Sequence, residues 1–517
     1  MARKTLPMAG TEKEDRHRQG HCSSAQGDRS RAEAGQSPIS PLQTTVGFVN
    51  LGCSKNQVDS EVMLGILAQS GFRLTGDAGK AEVVIINTCG FIEEAKQESI
   101  NTILDHGRLK KTGVCRVLIA AGCLAQRYQG DLLKELPELD GVVGTGEFGR
   151  IADICRDLLA PKQRHQRLWI SEPPYLYDEL APRLRLGRHH SAYVKIAEGC
   201  NRNCAFCAIP LMRGKQRSRP VESIVEEAQR LAEEGVKELN LISQDTINYG
   251  VDLGLRQGLV ALLRELVKVK GLRWIRPFYL YPQQVTDELL DLYAGEETLA
   301  KYIDMPLQHI NDRMLKRMHR LGDRAAIEAL VERIRTRIPG VTFRTAFIVG
   351  FPGETDESFA ELRDYVEQAE FDRVAVFLYS DEEGTPAVGL NEKIGRDVMD
   401  ERRNTLLAIQ ESIAAAKGRA KVGSTLEVLV DGRSEESDRL LEGRHEGLAP
   451  EIDGVVYINR GSSHPTRQPR ISSHLPARRL PRQALLHEDS PLPEAGTLVK
   501  VEITDAAAYD LVGHVVA

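Results

Sequence analysis

The segment EGCNRNCAFCAIP places Cys200, Cys204 and Cys207 at C-x3-C-x2-C spacing. Three thiolates this close in the chain can take three corners of one cubane iron-sulfur cluster. The count matters, because a four-iron cluster with three protein ligands keeps one iron open to an exogenous ligand. The same open position separates catalytic from structural metal sites. An electron-transfer ferredoxin would supply a nearby fourth cysteine, and no cysteine follows Cys207. Zinc, the main alternative, would need a fourth cysteine or a suitably spaced downstream histidine to complete a tetrahedron, and neither is in place.

A second set, Cys53, Cys89 and Cys123, is scattered in sequence, but each member ends an apolar run: TTVGFVNLGC, AEVVIINTCGF and CRVLIAAGC. Such runs predict parallel strands, and neighbouring strand ends converge in space. Three thiolates there could hold another cluster with a vacant iron, whereas the plain alternative is three buried structural cysteines. Cys22, Cys115 and Cys155 have no such surroundings and read as a tail thiol and two core residues.

The elements that must position these thiolates fall into three blocks. Residues 44–160 alternate strand and helix, as in a parallel α/β layer that gathers ligands at its strand ends. Residues 161–187 are rich in Pro, Arg and Leu without periodicity and read as a connector. Residues 188–417 repeat the βα alternation of a full or partial barrel, with catalysis expected at the carboxyl ends of the strands. Residues 419–517 turn to short strands, as in a small β-barrel, interrupted at 461–486 by a Pro, Ser and Arg-rich stretch that reads as a disordered insertion. Residues 1–43 mix bases with Glu12, Glu14, Asp15, Asp28 and Glu33 and lack an apolar core. They read as a disordered tail or as the product of an upstream start codon, not as a signal or transit peptide.

Composition narrows the class. The chain has 517 residues, 41% of them hydrophobic, and no apolar run long enough for a membrane span. The nine cysteines are an odd count without an export signal, which favours cluster or catalytic roles in a reducing, cytoplasmic setting over a disulfide framework. A net charge of −6 argues against a chain-wide nucleic-acid footprint.

The C-x3-C-x2-C loop after a first barrel strand, with Phe206 inside it, resembles the radical S-adenosylmethionine (SAM) superfamily. That resemblance implies SAM bound at the open iron and cleaved by one electron to methionine and a 5′-deoxyadenosyl radical. With both triads and LGCSKNQVDSE present, the chain from residue 44 onward resembles the methylthiotransferase family. This second resemblance implies an N-terminal methylthiotransferase domain, a radical SAM barrel and a C-terminal TRAM domain. By the same resemblance, Cys53, Cys89 and Cys123 would ligate an auxiliary [4Fe-4S] cluster and Cys200, Cys204 and Cys207 the SAM cluster. A methyl group from one SAM would pass to sulfur held at the auxiliary cluster, and a second SAM would supply the radical that opens the substrate C–H bond. GCNRNCAFCAIPLMRGKQRSRP, SQDTINYGVDL, YLYPQQVTDELL, DMPLQHINDRMLKRM and APEIDGVVYI look like the branch acting on the β-carbon of an aspartate of ribosomal protein S-twelve of the small subunit. An external electron donor and a sulfur donor are implied with it.

Charge bears on the substrate independently. Residues 420–459 and 487–517 hold fifteen acids against five bases, which repels phosphate and suits a basic ribosomal protein. The loop 460–486 departs from this with six Arg and no acid, and could reach ribosomal RNA or be a solvated insertion. The rival functions are the same chemistry on adenosine of transfer RNA, and a non-catalytic iron-sulfur factor that binds the ribosome. Other residues could touch SAM or substrate. Gly350, Gly353 and Glu354 of VGFPGE could let backbone approach SAM or simply form a strand-ending turn. Gln244 and Asp245 stand at a strand end, and Arg213, Lys215, Arg217 and Arg219 could contact a carboxylate or be a solvated charge run. His309 reads as a core or capping residue.

Overall fold

The computed structural model describes residues 44–160, 166–172, 175–459 and 493–516. The expected tail at 1–43 and insertion at 461–486 lie outside the described residues, as does Cys22.

The first layer runs β1 (Thr45–Asn50), α1 (Ser54–Gln69), β2 (Arg73–Thr75), β3 (Val83–Thr88), α2 (Glu93–Gly107), α3 (Leu109–Thr112), β4 (Val117–Gly122), α4 (Cys123–Glu135), β5 (Gly141–Val143), α5 (Ile151–Leu159) and β6 (Arg167–Trp169). All six strands are parallel, in the order β2-β1-β3-β4-β5-β6. β3 and β4 are buried at every position, as an apolar strand covered by helices on both faces must be. The stretch read as an aperiodic connector contributes β6, three residues that pair with β5. So short an edge strand carries no periodic signal.

The second layer runs β7 (Ser191–Lys195), β8 (Ala197–Glu198), α6 (Ile209–Arg213), β9 (Arg217–Ser218), α7 (Val221–Glu233), β10 (Glu238–Ile242), α8 (Gly258–Leu266), β11 (Trp274–Pro277), α9 (Asp287–Gly295), β12 (Tyr302–Asp304), α10 (Asp312–Arg317), α11 (Arg324–Arg337), β13 (Thr342–Val349), α12 (Asp356–Ala369), β14 (Arg373–Leu378) and α13 (Arg396–Ala420). Two parallel three-stranded sheets, β11-β10-β7 and β12-β13-β14, are joined by a bridge from Ile275 to Leu299 into a partial barrel. One large apolar core, including Val194, Leu241, Phe343 and Phe347, fills it.

The third unit is a closed five-stranded barrel of β15 (Thr425–Ser434), β16 (Ser437–Arg444), β17 (Val456–Asn459), β18 (Leu498–Ala506) and β19 (Leu511–Val515). Its acids are not all turned to solvent. Asp431 and Glu238 flank the Arg444 guanidinium at 2.8 and 2.6 Å, His190 reaches Asp431 at 2.9 Å, and Tyr302 donates to Asp453 at 2.7 Å. Part of the acidic excess therefore docks this module onto the partial barrel, which weakens a simple reading of it as a surface for a basic partner.

Candidate functional site

Two strand-end constellations face each other across the seam between the first and second layers. In the first layer, β1, β3 and β4 are immediate neighbours. Cys53 is the N-cap of α1, Cys89 follows β3 directly, and Cys123 opens α4 after β4. The turns are tight enough to need glycine. Gly52 has φ +89°, and a Cβ there would come within 3.2 Å of Cys89 Sγ. Gly122 has φ +98°, and a Cβ would come within 2.3 Å of Asn87 Oδ1. Asn56, on the first turn of α1, ties the strand ends together by donating to the carbonyls of Leu51 and Thr88 at 2.9 and 3.0 Å.

In the second layer, Cys200, Cys204 and Cys207 lie on a loop anchored at both ends. The Cys200 amide donates to Gly214 O at 3.1 Å and the Ala205 amide to Met318 O at 2.9 Å. Phe206 packs edge to face on Phe351, with ring centroids 6.5 Å apart. The triads are drawn to one seam, because Cys123 packs against Ala208 and Met212, which follow Cys207 on the loop and α6.

The donor chemistry fits clusters. Burial pushes the thiols of Cys200, Cys207 and Cys123 up to about 11, 12 and 12, and that of Cys89 up as well. Such groups stay protonated until a metal or other cation compensates the thiolate. Among the described residues no three His, Cys, Asp or Glu side chains close around a single ion, the arrangement that a zinc site requires. A cubane spreads its thiolates over separate irons, so it does not need them gathered on one point. Arg202 N, Arg320 Nη1 and Arg213 Nε stand 3.4, 3.7 and 3.2 Å from Cys200, Cys204 and Cys123 Sγ, respectively, as partners for thiolate charge.

Arg213 is the busiest of these cations. Its guanidinium also donates to Asn56 Oδ1 and Asp59 Oδ2 of the first layer, both at 2.6 Å, and to Glu198 of the second at 3.2 Å. Lys195 closes the network by donating to Asp59 and, at 2.6 Å, to Glu198. All four charged side chains are 5% exposed or less. On the other flank of the seam, Glu382 accepts from Arg127 and pairs with Lys96 at 3.1 Å.

The remaining candidates separate. Gln244 Nε2 donates to Glu198 at 2.8 Å, and Asp245 Oδ2 accepts from Arg202 and Asn248, both at 2.6 Å. Gln244 Oε1, Asp245 Oδ1, Gln216 Oε1 and both Arg217 Nη atoms are buried without partners, the polar lining expected where a polar ligand sits. Arg213 and Arg219 are not a solvated run. Both are buried, and Arg219 donates to Glu227 at 2.5 Å and lies over Tyr177, away from the cysteines. VGFPGE forms a tight turn directly after β13. A Cβ on Gly350 would strike Met399 of α13 at 2.3 Å, and one on Gly353 would strike the Arg317 guanidinium at 2.9 Å. Glu354 commits its carboxylate to Gly350 N at 2.5 Å, Arg402 at 2.7 Å and His309 at 3.2 Å. It therefore locks the turn that carries Gly350 and Gly353. His309 is fully buried and accepts from Ile310 and Asn311 amides through Nδ1, a capping role. Sequence reasoning missed Lys55, Asn56, Asp59, Lys195 and Glu198. The available signal was a helix, α1, whose buried positions include Lys55, Asn56, Asp59, Ser60 and Glu61.

Comparison with known proteins accords with this geometry. Residues 45–144 match the family described as Uncharacterized protein family UPF0004, residues 194–366 the Radical SAM superfamily and residues 422–516 the TRAM domain. The chain is 46% identical over 476 residues to ribosomal protein uS12 methylthiotransferase RimO of Anaeromyxobacter sp. (strain K), covering 92% of this chain and 94% of that one. It is 43% identical over 479 residues to the protein of the same name from Geobacter sulfurreducens, covering 93% of this chain and 100% of that one. Among solved structures it is similar to the radical S-adenosylmethionine methyltransferase TsrM from Kitasatospora setae, at 16% identity and a TM-score of 0.47 over 68% of this chain and 77% of that one. By the extent and level of its likeness to these relatives, the chain belongs to the ribosomal protein uS12 methylthiotransferase family, built around a radical SAM domain.

Proposed function

We propose that this chain places a methylthio group on the β-carbon of an aspartate of ribosomal protein uS12. The observation that carries this reading is the meeting of two three-cysteine sets at one seam, Cys123 packed on Ala208 and Met212 beside the loop of Cys200, Cys204 and Cys207. In this reading Cys200, Cys204 and Cys207 hold a [4Fe-4S] cluster open to SAM, and Cys53, Cys89 and Cys123 hold an auxiliary [4Fe-4S] cluster. When bound, SAM and the clusters supply a radical strong enough to open an unactivated C–H bond and the methylthio group that replaces the hydrogen.

The chain's own residues bind, orient and shield. Gln216, Arg217, Gln244 and Asp245 offer the free polar atoms at the strand ends to SAM. Arg202 holds Asp245 in place, and the Arg213 network keeps the two layers in register. The amide and guanidinium donors beside Cys200, Cys204 and Cys123 compensate thiolate charge. An external electron donor, a sulfur source and a reducing cytoplasm complete the proposal. No helix among the described residues is long and apolar enough to cross a membrane.

The test is anaerobic reconstitution with iron and sulfide, incubation with SAM, a reductant and either uS12 or transfer RNA, and mass spectrometry of both. A methylthio mass gain on an aspartate of uS12 is expected. Gain on transfer RNA alone would overturn the substrate, and absence of deoxyadenosine would overturn the chemistry. Replacing Cys200, Cys204 and Cys207 by alanine should abolish deoxyadenosine release and remove one cluster's iron. Replacing Cys53, Cys89 and Cys123 should remove the other cluster's iron while SAM cleavage survives.

A further inference from the structure

Three lysines of the described chain are buried: Lys55, Lys96 and Lys195. Lys96 pairs with Glu93 and Glu382, and Lys195 with Asp59 and Glu198. Lys55 has no carboxylate, and no described residue accepts a hydrogen bond from its ammonium. Its Nζ lies instead over the Tyr279 ring, 3.0 Å from the centroid. A ring face attracts a cation but offers no lone pairs to three N–H donors, so the ammonium is left open to an anionic partner.

The location says which anion. Lys55 is two residues past Cys53 on the first turn of α1, so it enters the seam from the first layer. Tyr279 comes from the opposite side, just past β11 at the carboxyl end of the partial barrel. Its amide donates to Asp304 Oδ2 at 3.0 Å, its carbonyl accepts from the Thr246 amide at 3.3 Å, and its φ is +58°. Such a backbone is uncommon for a non-glycine residue and persists only where its surroundings hold it. Of the three auxiliary thiols, Cys123 already has its own cation, because Arg213 Nε stands 3.2 Å from its Sγ. Like the two Arg217 Nη atoms, the Lys55 ammonium has no hydrogen-bond acceptor among the described residues.

We propose that Lys55, seated on Tyr279, is the receptor for the side-chain carboxylate of the protein substrate, an inference that rests on the aspartate reading of the function. The aromatic surfaces argue against a nucleobase in the same place. Bases in single-stranded RNA are gripped by stacking on open rings. Tyr279 is covered by the Lys55 ammonium, and Tyr281 carries the guanidiniums of Arg202 and Arg320 at 3.9 and 4.0 Å. The Tyr279 ring is thus taken by an ammonium, which does not stack a base.

The test pairs a protein change with a substrate change in the reconstituted holoenzyme. Affinity is measured anaerobically for uS12 and for uS12 whose target aspartate is replaced by asparagine, using wild type, Lys55→Met and Lys55→Arg. A charged hydrogen bond of ordinary strength predicts about 10- to 100-fold weaker binding of uS12 by Lys55→Met. The asparagine substrate should lose a similar factor on wild type, combining the two changes should cost no more than either alone, and Lys55→Arg should retain most of the affinity. Wild-type affinity in Lys55→Met, or losses that multiply when combined, would overturn the proposal. Loss of iron or an altered auxiliary-cluster spectrum in Lys55→Met would also overturn it by assigning the ammonium to the cluster. If wild type ignores uS12 and binds transfer RNA, the substrate reading fails together with the inference, whereas binding of uS12 that is indifferent to Lys55 sinks the inference alone.

Discussion

Arg213 meets three structural demands with one side chain, and removing it should expose their size. Its guanidinium and Lys195 balance Asp59 and Glu198 in a pocket where every side chain is 5% exposed or less. Arg213→Met would leave one cation to serve two buried carboxylates and would strip the donor from Asn56 Oδ1. Breaking a buried pair by deleting one member costs about 3–5 kcal/mol, most of it the penalty of the charge left behind. The penalty falls on the contact between layers, because Asn56 and Asp59 belong to α1 while Arg213 and Glu198 belong to the cluster loop and its flanking ribbon.

Two native reporters separate the layers: Trp169 lies on β6 of the first sheet and Trp274 on β11 of the partial barrel. In urea, variants carrying only one or the other tryptophan should show coincident transitions with Arg213 present and separated ones in Arg213→Met. Adding Asp59→Asn to Arg213→Met restores one cation against one carboxylate, so the double variant should be more stable than Arg213→Met alone. Simple additivity of the two losses, or a loss below about 1 kcal/mol for Arg213→Met, would refute the account of a balanced buried network.

Single residues elsewhere carry further consequences. Glu382→Gln leaves Arg127 without its carboxylate on the opposite flank. It should cost about 3 kcal/mol and speed proteolysis of the first layer in the reconstituted protein, measured by time-resolved gel analysis. His445 is buried, and burial with the nearby Lys421, Arg373 and Arg276 charges pushes its pKa from 6.5 to about 3. The unfolded chain gains a proton below pH 6.5 that the folded one refuses until about 3. Its contribution is therefore intact above that upper value and falls by about 1.4 kcal/mol per pH unit beneath it. Urea midpoints measured from pH 7 down to 4.5 should be flatter in His445→Gln than in wild type.

The cysteine sets were legible for different reasons. Cys200, Cys204 and Cys207 advertise themselves by contiguity, whereas Cys53, Cys89 and Cys123 could be grouped only because a parallel sheet brings its strand ends to one edge. The role of VGFPGE was not legible, since the atoms that forbid a side chain at Gly350 belong to Met399, on a helix whose packing the sequence does not announce. Nor could spacing show that Arg213 is buried. Its carboxylate Asp59 lies 154 residues upstream, so a run of bases looks solvated until the fold supplies the acids. Nor could the acid count of the C-terminal module show which acids are spent inside the fold, because Asp431 and Asp453 are turned toward Arg444 and Tyr302.

These residues explain why the chemistry sits between layers. A radical able to take hydrogen from carbon must meet its substrate and nothing else, which demands a dry space with fixed walls. A strand-end site in one α/β layer is open on top. Closing it with a second layer buries polar loop ends, and those must be matched to avoid unsatisfied groups. The Arg213 network on one flank and the Glu382 pairs on the other supply that match across the seam. Lys55 adds an ammonium seated on the Tyr279 ring with no carboxylate beside it. A seam whose layer contacts are matched, but which leaves Lys55 and Arg217 without acceptors, is shaped for ligands that bring their own anions.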